Sequence, residues 1–145
     1  MELAKYQKYS MLALRITLGW YFLYAGFSKI IAPAWSAEKY LTAATTFKGF
    51  YAWLATPTML SITNFVNEWG LLLIGLCLVL GVFIKWAGPA GAIMMILYYF
   101  PVLTFPTVGH GYIVDEHLIY AAGLLLLAAY HQHDALWFRK FMGRA

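Results

Sequence analysis

Apolar residues run through this chain in long blocks, and polar positions gather between them. The blocks cover about residues 11–31, 62–84, 87–105 and 113–130, each close to the ~20 residues a helix needs to cross a hydrocarbon core of ~30 Å. The stretch LLLIGLCLVLGVFI (71–84) does not alternate, as a barrel strand would. A helix satisfies every backbone group within its own segment, so helices are the expected spanning form. The pattern predicts an all-α integral membrane four-helix bundle, a single membrane domain over residues 1–145. The connection between the first two blocks is also patterned. Tyr40, Leu41, Ala44, Phe47, Tyr51 and Leu54 recur at three- and four-residue steps, with Glu38, Lys39, Thr42, Thr45 and Lys48 between them. This predicts an interfacial amphipathic helix with Ser36 as its N-cap, placed as a lid over the outer mouth of the bundle or resting passively on the membrane. Thr56-Pro57 predicts a capped start for the second span. Gly88-Pro89 predicts a start for the third after a tight turn at Lys85, and Pro101 a kink or end to its outer part.

Composition agrees: 63% of residues are hydrophobic and 11% charged, against about 25% charged in soluble domains. The formal charge of +4 is a topology signal, not a nucleic-acid one. Lys5, Lys8, Arg15, Lys85, Arg139, Lys140 and Arg144 fall on one side of four alternating spans, leaving Lys29, Lys39 and Lys48 for the other. The positive-inside rule then makes both termini cytoplasmic in a multi-pass protein of the cell membrane. The first span is read as retained, since Arg15 and Lys29 interrupt what would be a signal peptide's apolar core. The mixed cations and aromatics of LWFRKFM near the end read as an inner interfacial anchor. Cys77 is the single cysteine, which excludes an intrachain disulfide or a Cys-x-x-Cys pair. All four histidines lie at or beyond residue 110, so a haem held by histidines from two spans is excluded, and His131-Gln132-His133 is a weak metal signal.

The ionisable residues concentrate in one layer. Lys29 lies near the outer end of span one. Glu68 stands 17 residues before Lys85, ~25 Å at ~1.5 Å per residue, just inside the outer edge. Asp115, Glu116 and His117 open span four from the same side. Asn64 and Asn67 accompany Glu68, and Tyr120 is aligned with Glu116. Bland readings stand beside the functional ones: Lys29 snorkelling to headgroups, or Asp115 and Glu116 complementing a helix dipole. Arg15, Gly19, Gly26 and Gly75 read as structural, the glycines as points of close helix approach.

The stretches ALRITLGWYFLYAGFSKI, NEWGLLLIGLCLVLG and DEHLIYAAGLLLLA together resemble the DoxX/DoxD-like family of small four-helix membrane proteins. Arg15, Gly19, Gly26 and Lys29 match its first-span pattern, and Glu68, Gly70, Gly75 and Gly81 its second. The family's last-span ending is not reproduced: AYHQHDALWF lacks the glycines, although Asp134 matches. The resemblance implies membrane redox chemistry, in the DoxD type as part of a thiosulfate:quinone oxidoreductase. On that reading quinone is a substrate, Glu68 a proton carrier, His117 a second proton donor or orienter, and Lys29 the cation facing a quinolate or sulfur anion. Asn64, Asn67, Asp115, Glu116 and Tyr120 would line the quinone site. No bound cofactor or metal is expected. The bilayer is the first partner, with room for a membrane or periplasmic partner subunit and a homo-oligomer. The alternative is an accessory or assembly subunit in which Lys29 pairs with Glu68 or Asp115 as a structural clasp. Movement of small molecules or protons is disfavoured because the polar residues stop at one layer.

Overall fold

The computed structural model of the chain describes residues 2–109 and 111–131. The described residues form six helices: α1 (Glu2–Ile31), α2 (Glu38–Thr42), α3 (Lys48–Leu54), α4 (Pro57–Leu80), α5 (Ile84–Val102) and α6 (Glu116–Ala129). The interfacial anchor expected from LWFRKFM, and the readings of His110, His133 and Asp134, lie outside the described residues.

The four long helices are α1, α4, α5 and α6. Antiparallel α1 and α4 pack along one another, as do α5 and α6; α4 against α5 joins the two pairs, with a lighter α1–α6 contact. Glycines set how closely these axes approach. A Cβ on Gly26 would enter the backbone of Leu72, one on Gly75 the backbone of Leu23, and one on Gly19 would lie 3.0 Å from Leu78 Cβ. The α5–α6 crossing uses Gly88, whose Cβ would lie 2.7 Å from the Leu124 carbonyl oxygen. Around these crossings Phe22, Leu78 and Leu124 are fully buried. In a bilayer their gain comes from close packing rather than escape from water. Of the described helices, α4 is long and apolar enough to cross a membrane by length and composition; α6 is apolar but has 14 residues.

Boundaries moved where backbone capping overrode apolar content. Thr56 and Pro57 open α4 as expected. The helix stops at Leu80 because Gly81 adopts φ +73°, Val82 N–H bonds Cys77 O and Gly81 N–H bonds Leu78 O, a Schellman closure. The turn therefore falls at residues 81–83, not at Lys85. Pro89 lies inside α5 rather than at its start. It deprives the Lys85 carbonyl of its helical donor near the exposed helix end, where other donors are within reach. Glu68 sits midway along α4, roughly 17 Å from one end and roughly 18 Å from the other at ~1.5 Å per residue.

The connection between α1 and α4 holds two short helices where one was expected. They are separated by a bend ending at Phe47, which has φ +53°. Ser36 Oγ accepts the Glu38 N–H at 3.2 Å, although Ala37 is the N-cap position. The segment folds as a strap against the bundle. Leu41, Ala44 and Tyr51 are buried beneath it against Trp35, Leu60 and Phe100, while Phe47, Phe50 and Trp53 point outward.

Candidate functional site

Asp115 is the N-cap of α6. Its Oδ1 accepts the backbone N–H groups of His117 at 3.0 Å and Leu118 at 3.3 Å, two of the donors that every helix start leaves without an intrahelical partner. Its Oδ2 meets His117 Nδ1 at 2.6 Å. One carboxylate thus starts the helix and orients an imidazole. With Nδ1 engaged, the proton of neutral His117 is held there and Nε2 is the nitrogen left for a guest. Both side chains are mostly but not wholly covered, 18% exposed for His117 and 12% for Asp115.

The dyad borders a shallow recess of about 450 Å³ between the end of α5, the following loop and the start of α6. Val102, Val108, Val114 and Ile119 make its apolar wall; Asp115, Glu116 and His117 supply the polar groups. The lining carries acidic groups and no lysine or arginine among the described residues. Glu116 itself is exposed.

An aromatic ring from α5 meets the dyad, and α4 and the strap are linked to it in turn. The Tyr98 ring stands edge-on to His117 with centroids 6.0 Å apart. The Tyr98 hydroxyl donates to Asn67 Oδ1, and Asn67 Nδ2 donates to Thr63 O at 2.8 Å. Tyr40, from the strap, donates to the Tyr98 carbonyl. Tyr120 faces Tyr21 across α6 and α1, their rings 4.9 Å apart. Burial, with the Asp115 carboxylate next in weight, holds the Tyr40 phenol well above the usual range. Burial also pushes the Tyr51 phenol up to about 12. Both strap phenols are therefore protonated donors at neutral pH.

The remaining sequence-chosen residues are distributed differently. Asn64 is used by the fold: its Oδ1 accepts the Ala37 N–H at 3.0 Å and its Nδ2 reaches Ser36 Oγ at 3.5 Å. Asn67 is buried and committed to Tyr98 and Thr63. Lys29 Nζ donates to Ala25 O at 3.3 Å and lies 5.2 Å from the Trp35 ring centroid. Glu68, half-buried beside the α1–α4 crossing, has no hydrogen bond or ion pair among the described residues. His117 and Asp115 form an ion pair when the imidazole is protonated; a Lys29 clasp to Glu68 or Asp115 is not formed. At the opposite end of the bundle Arg15 is buried, 5% exposed. Its guanidinium fills the space beside Gly81, whose Cβ would meet Arg15 Nη1 at 2.8 Å. Among the described residues no group of three or more His, Cys, Asp or Glu side chains is placed to hold a metal ion.

Tyr21, Tyr40 and Tyr98 were not singled out from the sequence. Their signal was weak but present: Tyr98 lies one turn before Pro101 and Tyr40 opens the apolar face of the strap, yet in an aromatic-rich membrane chain each also reads as ordinary packing.

The model of the DoxX family matches residues 10–104, which run from α1 through the end of α5. The chain belongs to the DoxX family. As a DoxX protein it is a membrane protein, and the glycine-lined α1–α4 pair, Lys29, Glu68 and Tyr98 all lie within the matched region. Asp115 and His117 lie beyond it, at the start of α6. No curated protein and no solved structure matches the DoxX chain.

Proposed function

We propose that this DoxX protein spans the cell membrane four times with both termini cytoplasmic, and is the quinone-handling component of a membrane oxidoreductase, its quinone headgroup seated at the His117 recess on the outer side. The observation that carries this reading is the Asp115–His117 pair, with one imidazole nitrogen fixed at 2.6 Å and the other left for a guest at a recess walled by valine and isoleucine. Reducing a quinone takes two electrons and two protons. Protonated on both nitrogens, His117 donates its Nε2–H to a quinone oxygen and passes on that one proton, returning to the neutral Nδ1–H form that Asp115 holds in register; the second proton and both electrons come from outside the recess. Tyr98 holds the imidazole from the side.

The acidic lining argues against an anion as guest. Asp115 and Glu116 repel thiosulfate, whereas a neutral quinone pays no such cost. A reduced sulfur compound such as thiosulfate then serves as electron source through a partner subunit, not as a ligand of this recess. Glu68 is not in hydrogen-bond contact with the dyad, and the proton step is assigned to His117 instead.

The test is saturable quenching of tryptophan fluorescence by a short-chain quinone, measured on purified protein in lipid nanodiscs. Wild type and Glu68→Gln bind alike; His117→Asn weakens binding at least tenfold. Absence of saturable quenching in wild type, or equal affinity in His117→Asn, refutes the assignment.

A further inference from the structure

Three helices meet at the Tyr98 side chain. α5 supplies it, α4 holds its hydroxyl, and its ring stands against the α6 imidazole. The hydroxyl donates to Asn67 Oδ1. Asn67 is itself buried, and its Nδ2 donates to Thr63 O, one turn back along α4, at 2.8 Å. That bond decides which way the amide points and leaves Oδ1 directed at the phenol. Asn67 does not line the recess, so its amide acts on a guest there only through other side chains.

The backbone beneath Tyr98 is braced from the strap. Tyr40 donates to the Tyr98 carbonyl and sets its own ring edge-on to the Tyr98 ring, with centroids 6.2 Å apart. One residue earlier, the Leu97 carbonyl loses its helical donor because proline at position 101 has no N–H. Tyr51, from α3, donates its hydroxyl to that oxygen at 2.8 Å. Thr45 and Thr46 both donate to the Leu103 carbonyl, at 2.9 Å and 2.7 Å, just past the C-terminus of α5. The main chain is thus held on both sides of Tyr98. What remains to its side chain is rotation about its own bonds, and the Asn67 bond removes that.

The consequence falls on His117. The Asp115 bond at Nδ1 fixes one atom of the imidazole at 2.6 Å. A ring held at one atom can still tilt about that contact and carry Nε2 with it. The Tyr98 ring lies 6.0 Å from the imidazole between centroids and at 86° to it, an edge-to-face arrangement that aromatic rings favour. The polar contact at Nδ1 and the aromatic contact together define the plane in which Nε2 lies.

We infer that Asn67 is a positioning residue for His117: acting through Tyr98, it fixes the plane of the imidazole and so the direction in which Nε2 meets a guest in the recess. This rests on the reading of that recess as the quinone site and names what sets the geometry of its proton donor.

The experiment is nuclear magnetic resonance of ring-labelled histidine in lipid nanodiscs, with the His117 signal assigned by its loss in His117→Asn. The test variant combines Asn67→Leu with Tyr98→Phe. The phenol and its acceptor then leave together, no polar group is stranded, and thermal stability stays close to wild type; the aromatic ring remains without its anchor. The His117 ring C–H order parameter is expected to fall from about 0.85, typical of a rigid site, to below about 0.6. Affinity for a short-chain quinone is expected to weaken at least about threefold, as the loss of an aromatic pair's orientation implies. Asn67→Asp, which is isosteric and keeps an oxygen acceptor, retains both. A His117 ring as ordered in the double variant as in wild type overturns the inference. Loosening in Asn67→Asp as large as in the double variant overturns it too, because the acceptor would then be irrelevant. A loosened ring with unchanged quinone affinity overturns the link from plane to guest. Ring order is read without quinone, so a wild type that binds no quinone refutes the reading of the recess while the positioning by Asn67 is still decided.

Discussion

Gly75→Ala puts the packing argument at risk most directly. In a free helix this substitution is favourable by about 0.5–1 kcal/mol, because alanine has less backbone entropy to lose. Here the new Cβ would lie 2.6 Å from Leu23 Cα and 2.8 Å from Leu23 Cβ, and closer still to the Leu23 amide nitrogen. Backbone cannot rotate aside as a side chain can, so α1 and α4 must separate by roughly 1 Å to restore ordinary contact distances. A gap of ~0.5–1 Å forfeits a quarter to a half of each dispersion contact along the seam, and overpacking of this kind costs ~1–3 kcal/mol. The mid-range cost exceeds the propensity gain, and the expected net destabilisation is about 1 kcal/mol. Reversible unfolding in mixed micelles, followed by circular dichroism, measures it. Gly49→Ala is the internal control: no atom lies within 4 Å of its added Cβ, so that change is expected to be neutral or slightly stabilising. If Gly75→Ala is as harmless as Gly49→Ala, the close α1–α4 approach is not a feature of the folded protein, and the placement of Glu68 beside Gly26 goes with it.

Two further outcomes follow from the same structure. Gly81→Ala carries both a left-handed backbone at φ +73° and a clash with Arg15, whereas Gly109→Ala carries φ +49° in open space; the first is expected to cost more than the ~1–2 kcal/mol of the left-handed conformation alone, the second no more than that, both read from thermal unfolding. Burial raises the Tyr51 phenol from 10.0 to about 12 in the strap, so its contribution to strap stability is complete below pH 10 and is lost as pH rises from 10 towards 12; tyrosinate absorbance should show several late-titrating phenols, Tyr40 among them, and Tyr51→Phe should remove one of them near 12, an unchanged titration contradicting the burial of Tyr51 beneath the strap.

Much of the fold was already decided by local chemistry. Apolar blocks of spanning length, the Thr56-Pro57 start, the small residues Gly19, Gly26 and Gly75, and the hydrogen-bonding burden of backbone in lipid are properties of consecutive residues. They specify four long helices whether or not their partners are known. Asp115 and His117 were visible for the same reason: a cap and the residue two positions later meet through one turn of chain. The C-terminus of α4 was misplaced because Gly81 closes the helix through backbone geometry, and the apolar run through Val82, Phe83 and Ile84 conceals it.

What the one-dimensional pattern could not decide is which polar groups meet across elements. Opposite charges at similar depth made a Lys29–carboxylate pair reasonable, but helix rotation is set by the glycine crossings, and these turn Lys29 to Ala25 and Trp35 and leave Glu68 midway along α4. Tyr40 and Tyr98 are 58 residues apart and Asn67 and Tyr98 31 apart, distances over which no local propensity acts. The single amphipathic period from Tyr40 to Leu54 likewise gave no sign of the Phe47 bend, which follows from where the end of α5 offers carbonyls. Sequence determined the helices and the dyad within one of them. Tertiary packing decided that the strap's hydroxyls, a proline-freed carbonyl and the His117 imidazole would occupy one end of the bundle, because only the close approach of whole helices brings such distant groups within hydrogen-bond reach.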